Sequence, residues 1–157
     1  MSFVNCGPLQ TGVGSDQTVV DLFDAGWCQL AAFDYSEAGV ARAAALYGER
    51  NIDLRCADAT CMPYDDASFD ACLDKGTLDA IGITSKDALR ASTGELARVV
   101  GEGGVVMSVS RALEADVLLS AFDAARWEVL RDGGLHVADT GEVTTDLAAG
   151  LYAWRRR

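Results

Sequence analysis

Short apolar runs alternate with segments of helical period along this chain, and several of the runs stop at a glycine or an acid. Such alternation marks a layered βαβ fold. The polar endings matter because ligands of open α/β sheets sit outside the carboxyl ends of the strands. The stretch around residue 74 shows the pattern most densely. Phe69, Ala71, Cys72 and Leu73 read as a strand that delivers Asp74, Lys75, Gly76, Thr77, Leu78 and Asp79 at its end. Buried acids and lysines are costly unless paired, so such a cluster has either a structural partner or a job. At 157 residues the chain is long enough for one domain with a proper core and too short for two ordinary ones.

Taken in order, residues 3–11 predict a weak first strand, because Pro8 suits only its start. A turn at residues 12–16 leads into a helix over 16–25, with Val19, Val20 and Phe23 on one side and Gly26 ending it. Residues 28–34 predict a second strand ending in Asp34. Ser36 is placed to N-cap a helix over 37–49, where Val40, Ala44 and Tyr47 share a face. A third strand over 52–57 ends at Asp58, and a turn-rich loop over 63–68 precedes the fourth strand, 69–74. Ser85 or Asp87 opens a helix to Val100, stopped by Gly101, Gly103 and Gly104. Residues 105–109 are apolar enough for a strand buried on both faces. Val117, Leu118, Ala121, Phe122 and Ala125 mark another helix. A sixth strand runs from Trp127 to Leu130 before a turn at Asp132-Gly133-Gly134, and a seventh from Ala148 to Trp154. The closing Arg155-Arg156-Arg157 reads as a solvated tail.

Composition narrows the function classes. Twenty-four acids against 13 bases give a net charge of -11, which argues against general nucleic-acid binding; it suits an ordinary acidic surface, and would also attract a basic protein or cationic substrate. No apolar run approaches the roughly 18 residues of a membrane span, and the first residues carry no basic n-region of a secretory signal. The five cysteines, Cys6, Cys28, Cys56, Cys61 and Cys72, show no CxxC spacing, and there is one histidine, His136, so no metal site is expected. We read the cysteines as small core residues of a reducing, cytoplasmic compartment.

Three strand ends point to a nucleoside ligand. Gly12-Val13-Gly14 lies between a strand and a helix, where glycines let a ligand approach the backbone and the helix offers free N–H groups; a tight turn would need the same residues. Asp34 lies 20 residues after Gly14, a spacing that suits hydrogen bonds from ribose hydroxyls. Asp58, at the third strand end, is placed to accept from an adenine amino group. A nicotinamide dinucleotide is the competing reading, but Gln17 stands where its fingerprint needs a third glycine.

At four segments the chain resembles class I S-adenosylmethionine-dependent methyltransferases. They are Thr11-Gly12-Val13-Gly14-Ser15-Asp16; Ala32-Phe33-Asp34-Tyr35-Ser36; Ala57-Asp58-Ala59-Thr60 with Met62-Pro63-Tyr64; and Ser68-Phe69-Asp70 running into Leu73-Asp74-Lys75-Gly76-Thr77-Leu78-Asp79-Ala80-Ile81. The last is similar to the branch that methylates lysines of elongation factor 1A and citrate synthase. The resemblance implies an α/β, Rossmann-like doubly wound sheet of about seven strands, mostly parallel with an antiparallel C-terminal hairpin. It implies one domain over residues 1–157, short at its N-terminus. Gly12 and Gly14 would face the amino-acid part of S-adenosylmethionine, Asp34 its ribose with Tyr35 beside the adenine, and Asp58 and Ala59 the adenine itself. Asp74 would close the site near the methyl group, with Lys75 and Gly76 as its floor. Asp74 and Asp79 are the catalytic candidates, guiding a lysine cation, with Tyr64 or Tyr35 as a wall.

The chain departs from that family in four places, the mildest being Val13, which stands where a cysteine is usual between the first two glycines. The helices that commonly precede the first strand and lie over the cofactor are missing, so a partner or a second copy is expected to cover the site. Many members carry an acid near the end of strand one, where Gln10 and Thr11 stand here. Insertions that recognise substrate are largely absent between strands five and six. The expected function is methylation of a protein lysine, with S-adenosylhomocysteine as product. The alternatives are a small-molecule methyltransferase or a non-catalytic binding protein of the same fold.

Overall fold

A computed structural model describes residues 7–137 and 149–157. Seven strands form one sheet: β1 (Pro8–Thr11), β2 (Ala31–Asp34), β3 (Asp53–Cys56), β4 (Phe69–Lys75), β5 (Val100–Ser110), β6 (Trp127–Val137) and β7 (Ala149–Arg156). Five helices connect them: α1 (Thr18–Asp24), α2 (Glu37–Tyr47), α3 (Thr77–Thr84), α4 (Lys86–Val99) and α5 (Ala115–Ala121). The spatial order is β3-β2-β1-β4-β5-β7-β6. Every pairing from β3 to β5 is parallel, while β7 runs antiparallel to both β5 and β6. The doubly wound sheet and antiparallel terminal pair are those the sequence predicts. The chain order reverses between β1 and β4, which creates the crevice where such sheets bind ligands.

The four residues of β1 are all buried, as befits the centre of the sheet, and Pro8 occupies its first position. One face packs Leu9, Phe33, Leu89, Leu96, Val106 and Trp154, with Phe122 stacked on Trp154 at 3.7 Å between ring centroids. The other face buries Val13, Val19, Val20, Ala32, Ala43 and Tyr47 beneath α1 and α2. Ser36 caps α2 as expected, its hydroxyl accepting from Gly39 N at 3.0 Å.

Several expectations need correction. The buried stripe of α2 is Gly39, Ala43 and Tyr47, and Ala44 is exposed, because i, i+4, i+8 tracks the sheet here. Residues 28–30 lie outside β2. Helix α3 is absent from the sequence reading, which leaves residues 75–84 without an element. α4 ends at Val99, so Gly101, Gly103 and Gly104 lie within β5 rather than in a break before it. β5 is not buried on both faces: Met107 is 42% exposed. The turn expected at 132–134 is a register shift inside a continuous β6, with Gly133 at φ +92°. The terminal arginines are not a loose tail. Arg156 Nε donates to Ala97 O at 2.9 Å and Arg157 Nε to Trp127 O at 3.2 Å. Of the cysteines, Cys72 is buried but Cys28, Cys56 and Cys61 are exposed and all four are free thiols. Cys6 and Ala148 lie outside the described residues, as does the side chain of His136.

Candidate functional site

The register of the central strands sets a row of polar side chains across the carboxyl edge of the sheet. Thr11 pairs with Asp74, and Asp74 with Ser108. Beyond this edge the β1–α1 loop turns back on itself, with Gly12 at φ +56° and Gly14 at φ +48°. A Cβ at Gly12 would run into the Thr77 side chain, so the loop lies directly against the start of α3.

Asp34 ends β2 and ties that loop down. Its Oδ2 accepts from Gly14 N at 2.8 Å, and its Oδ1 from Ser36 N at 2.9 Å and Ser36 Oγ at 3.0 Å. Burial works against the charge, but the N–H groups of Ser36 and Gly14 hold this carboxyl below the usual range. A side chain at Gly39 would overlap the same carboxylate, which accounts for a glycine in the first turns of α2. Asp58 Oδ1 accepts from Thr60 N and Thr60 Oγ1, both at 2.8 Å, and so shapes the turn after β3.

A cleft of about 640 Å³ opens over these strand ends. Gly12, Asp34, Tyr35, Asp58, Ala59 and Lys75 line it, together with Phe33, Thr60, Gly76 and Thr77. Ala80, Ile81 and Thr84 form its far wall, followed by Ser85 and Ala88 at the start of α4. Tyr35 stands 78% exposed at the rim. Gly14 borders the cleft only through Asp34.

The two acids of the β4–α3 segment lie elsewhere. Asp74 is completely buried. Its Oδ1 accepts from Thr11 Oγ1 at 2.9 Å and from Thr77 N and Leu78 N at 3.1 Å, and its Oδ2 from Ser108 Oγ at 2.6 Å. Burial outweighs those bonds and pushes its pKa up. Asp79 is also buried. Ser110 Oγ donates to it, as do the backbone N–H groups of Arg111, Ala112 and Leu113. Both carboxylates are thus occupied by protein donors and neither lines the cleft: Asp74 joins β1, β4, β5 and α3, and Asp79 fastens the loop after β5 to α3. Tyr64 also stands apart, packed on Phe69 at 4.9 Å between centroids.

Sequence reasoning missed Thr77, Ala80, Ile81 and Thr84, because no helix was read over 77–84. It also missed Gly39 and Asp16. The spacing of Gly39, five residues after the strand-end acid, was the available signal for the first of these. Among the described residues no group of three or more His, Cys, Asp or Glu is placed to hold a metal ion, and no helix is long and apolar enough to cross a membrane.

Comparison with known proteins bears on the family and the fold. The methyltransferase domain family matches residues 9–108, a span that contains every cleft residue named above. The chain is 34% identical over 115 residues to the eEF1A lysine and N-terminal methyltransferase of Danio rerio, covering 71% of this chain but 17% of that protein. It therefore spans about a sixth of that relative's length. An S-adenosylmethionine-dependent methyltransferase from Mesorhizobium loti superposes with a TM-score of 0.76 at 13% identity, over 100% of this chain and 94% of its own. A Haloferax volcanii structure, a complex between the Trm112 methyltransferase activator and the putative methyltransferase, superposes with a TM-score of 0.66 at 17% identity, over 94% of this chain and 80% of its own.

Proposed function

Because the chain belongs to the methyltransferase domain family, we propose that it transfers a methyl group from S-adenosylmethionine to the amine of a protein lysine. The observation that carries this reading is the convergence of the Gly12 loop, Asp34 and Asp58 on one cleft at the reversal point of the sheet. The residues present fit the cofactor. Three donors occupy the Asp34 carboxylate, which offers about four lone-pair sites, so it can still accept from a ribose hydroxyl. The exposed ring of Tyr35, with Ala59 and Asp58, would hold the adenine. The Gly12 loop gives the amino-acid part close access to backbone. Bound there, S-adenosylmethionine supplies a methyl group already activated on a sulfonium.

The work left to the chain is alignment and exclusion of water. Lys75, Gly76 and the α3 wall bound the side of the cleft from which an acceptor arrives. Asp74 and Asp79 act as positioning residues in this reading, since their lone pairs are held by the fold. The acceptor amine therefore reacts in its neutral form, having lost its proton to solvent at the cleft edge, and turnover rises with pH.

The substrate class rests on the relative's named target, eEF1A, and on the net charge of -11, which favours a basic protein. A translation factor in the cytoplasm suits both. The Haloferax complex, a methyltransferase with its activator, supports a second protein as a partner of this chain. The test is transfer from methyl-labelled cofactor into a cell lysate, followed by acid hydrolysis. Label recovered as methyl-lysine is the expected result; label confined to small metabolites, or none, would overturn the proposal.

A further inference from the structure

The β1–α1 loop carries one member of a charged pair beside the cleft. Asp16 is 14% exposed, and Thr18 takes its Oδ1 through both N at 2.8 Å and Oγ1 at 2.5 Å. Its Oδ2 faces Lys75 Nζ at 3.0 Å. Lys75 is 56% exposed on its side chain and lines the cleft beside Gly12 and Thr77. An ion pair with one partner so open contributes little to stability, about 0–1 kcal/mol. It does place one fixed negative and one mobile positive charge side by side at the glycine end of the cleft.

That end must meet a zwitterion if the cofactor reading holds, and this inference rests on that reading. The ligand's ammonium needs an anionic acceptor, and β1 supplies none: Gln10 is neutral, 2% exposed, and both polar atoms of its amide lack partners among the described residues. Asp34 is committed to the Gly14 loop and the ribose side. We propose that Asp16 and Lys75 bind the amino-acid head of the cofactor by exchanging partners, the Asp16 carboxylate accepting from the ammonium while Lys75 swings to the ligand carboxylate. One neutral pair opens and two form, so no charge is left alone in the cleft. Asp16 is suited to the fixed role because Thr18 holds its orientation. Lys75 is suited to the mobile one because its long stem is exposed.

Calorimetric titration with two probes tests this. S-adenosylhomocysteine carries the amino-acid head, whereas 5′-methylthioadenosine shares the adenosine and lacks the head. Asp16→Asn keeps an oxygen for Thr18 N, so the turn into α1 is retained. It should weaken S-adenosylhomocysteine about tenfold or more and leave 5′-methylthioadenosine within about twofold. Lys75→Gln should give the same pattern. Unchanged S-adenosylhomocysteine affinity in both variants, or an equal loss for both probes, would overturn the inference and leave the cofactor site standing. Failure of the unsubstituted chain to bind either probe would overturn the cofactor reading itself, and this inference with it.

Discussion

Replacing Asp74 tests whether this acid holds the fold together, as its burial implies. Asp74→Ala removes the acceptor for four donors: Thr11 Oγ1, Thr77 N, Leu78 N and Ser108 Oγ. The hydroxyls can rotate towards other acceptors, but the two amides open α3 and cannot turn. At about 1–3 kcal/mol for each buried donor left unpaired, they account for about 2–6 kcal/mol. Removing a carboxylate that burial disfavours offsets part of this, for a net loss of about 3 kcal/mol. In a chain of this size that lowers Tm by about 6–12 °C. Asp74→Asn keeps one oxygen for the α3 amides and turns its NH₂ towards Ser108, whose hydroxyl can accept, so it should cost about 1 kcal/mol. Urea denaturation followed by tryptophan fluorescence reads both variants, since Trp127 and Trp154 are buried in the core. An alanine variant losing under about 1 kcal/mol, or an asparagine variant losing as much as alanine, would refute the anchoring role.

Two further tests follow from the same contacts. Gly39→Ala would raise helix propensity by about 1 kcal/mol in an ordinary helix, but here its Cβ displaces the Asp34 carboxylate; S-adenosylhomocysteine affinity should fall at least about tenfold with helical content kept by circular dichroism, and unaltered affinity would contradict the role given to Asp34. Asp16, Asp34 and Glu95 all sit below their ordinary values, so the stability they supply is full above those values and is lost as pH falls through the lowered ones. Asp74 is raised and runs the other way, its share present in acid and lost as pH rises. The urea midpoint should therefore drop from about pH 7 to about pH 3, and Asp74→Asn should make that drop steeper.

The parallel half of the sheet was legible because its signals are local. Apolar runs closed by Asp34, Asp58 and Asp74 gave the strands, and Ser36 gave the start of α2. Helix α3 was not legible, since Thr77–Thr84 is short, carries Gly82 and two isoleucines, and is held by Asp74 just before its start and by the long-range bonds of its own Asp79 rather than by propensity. β6 was cut short because Asp132-Gly133-Gly134 is turn chemistry that a bulge can also absorb. At the site, strand-end position identified Gly12, Asp34, Asp58 and Lys75 among the residues that line the cleft, but not the wall built by α3. It could not distinguish an acid facing solvent from one facing the core, and that separates Asp34 and Asp58 from Asp74 and Asp79. The exposed cysteines and the anchored arginines were misjudged for a related reason: composition carries no information on which edge of a sheet a residue occupies.

The latch at Asp79 has a bearing on which sequence changes the loop after β5 can absorb. Three of its four bonds go to main-chain amides, of Arg111, Ala112 and Leu113, and a main-chain amide is the same in every residue but proline. At position 112, an exposed alanine, the hold of Asp79 therefore does not depend on which side chain stands there. Any residue but proline keeps that bond available, so the surface can change at this position while α3 retains its grip on the main chain.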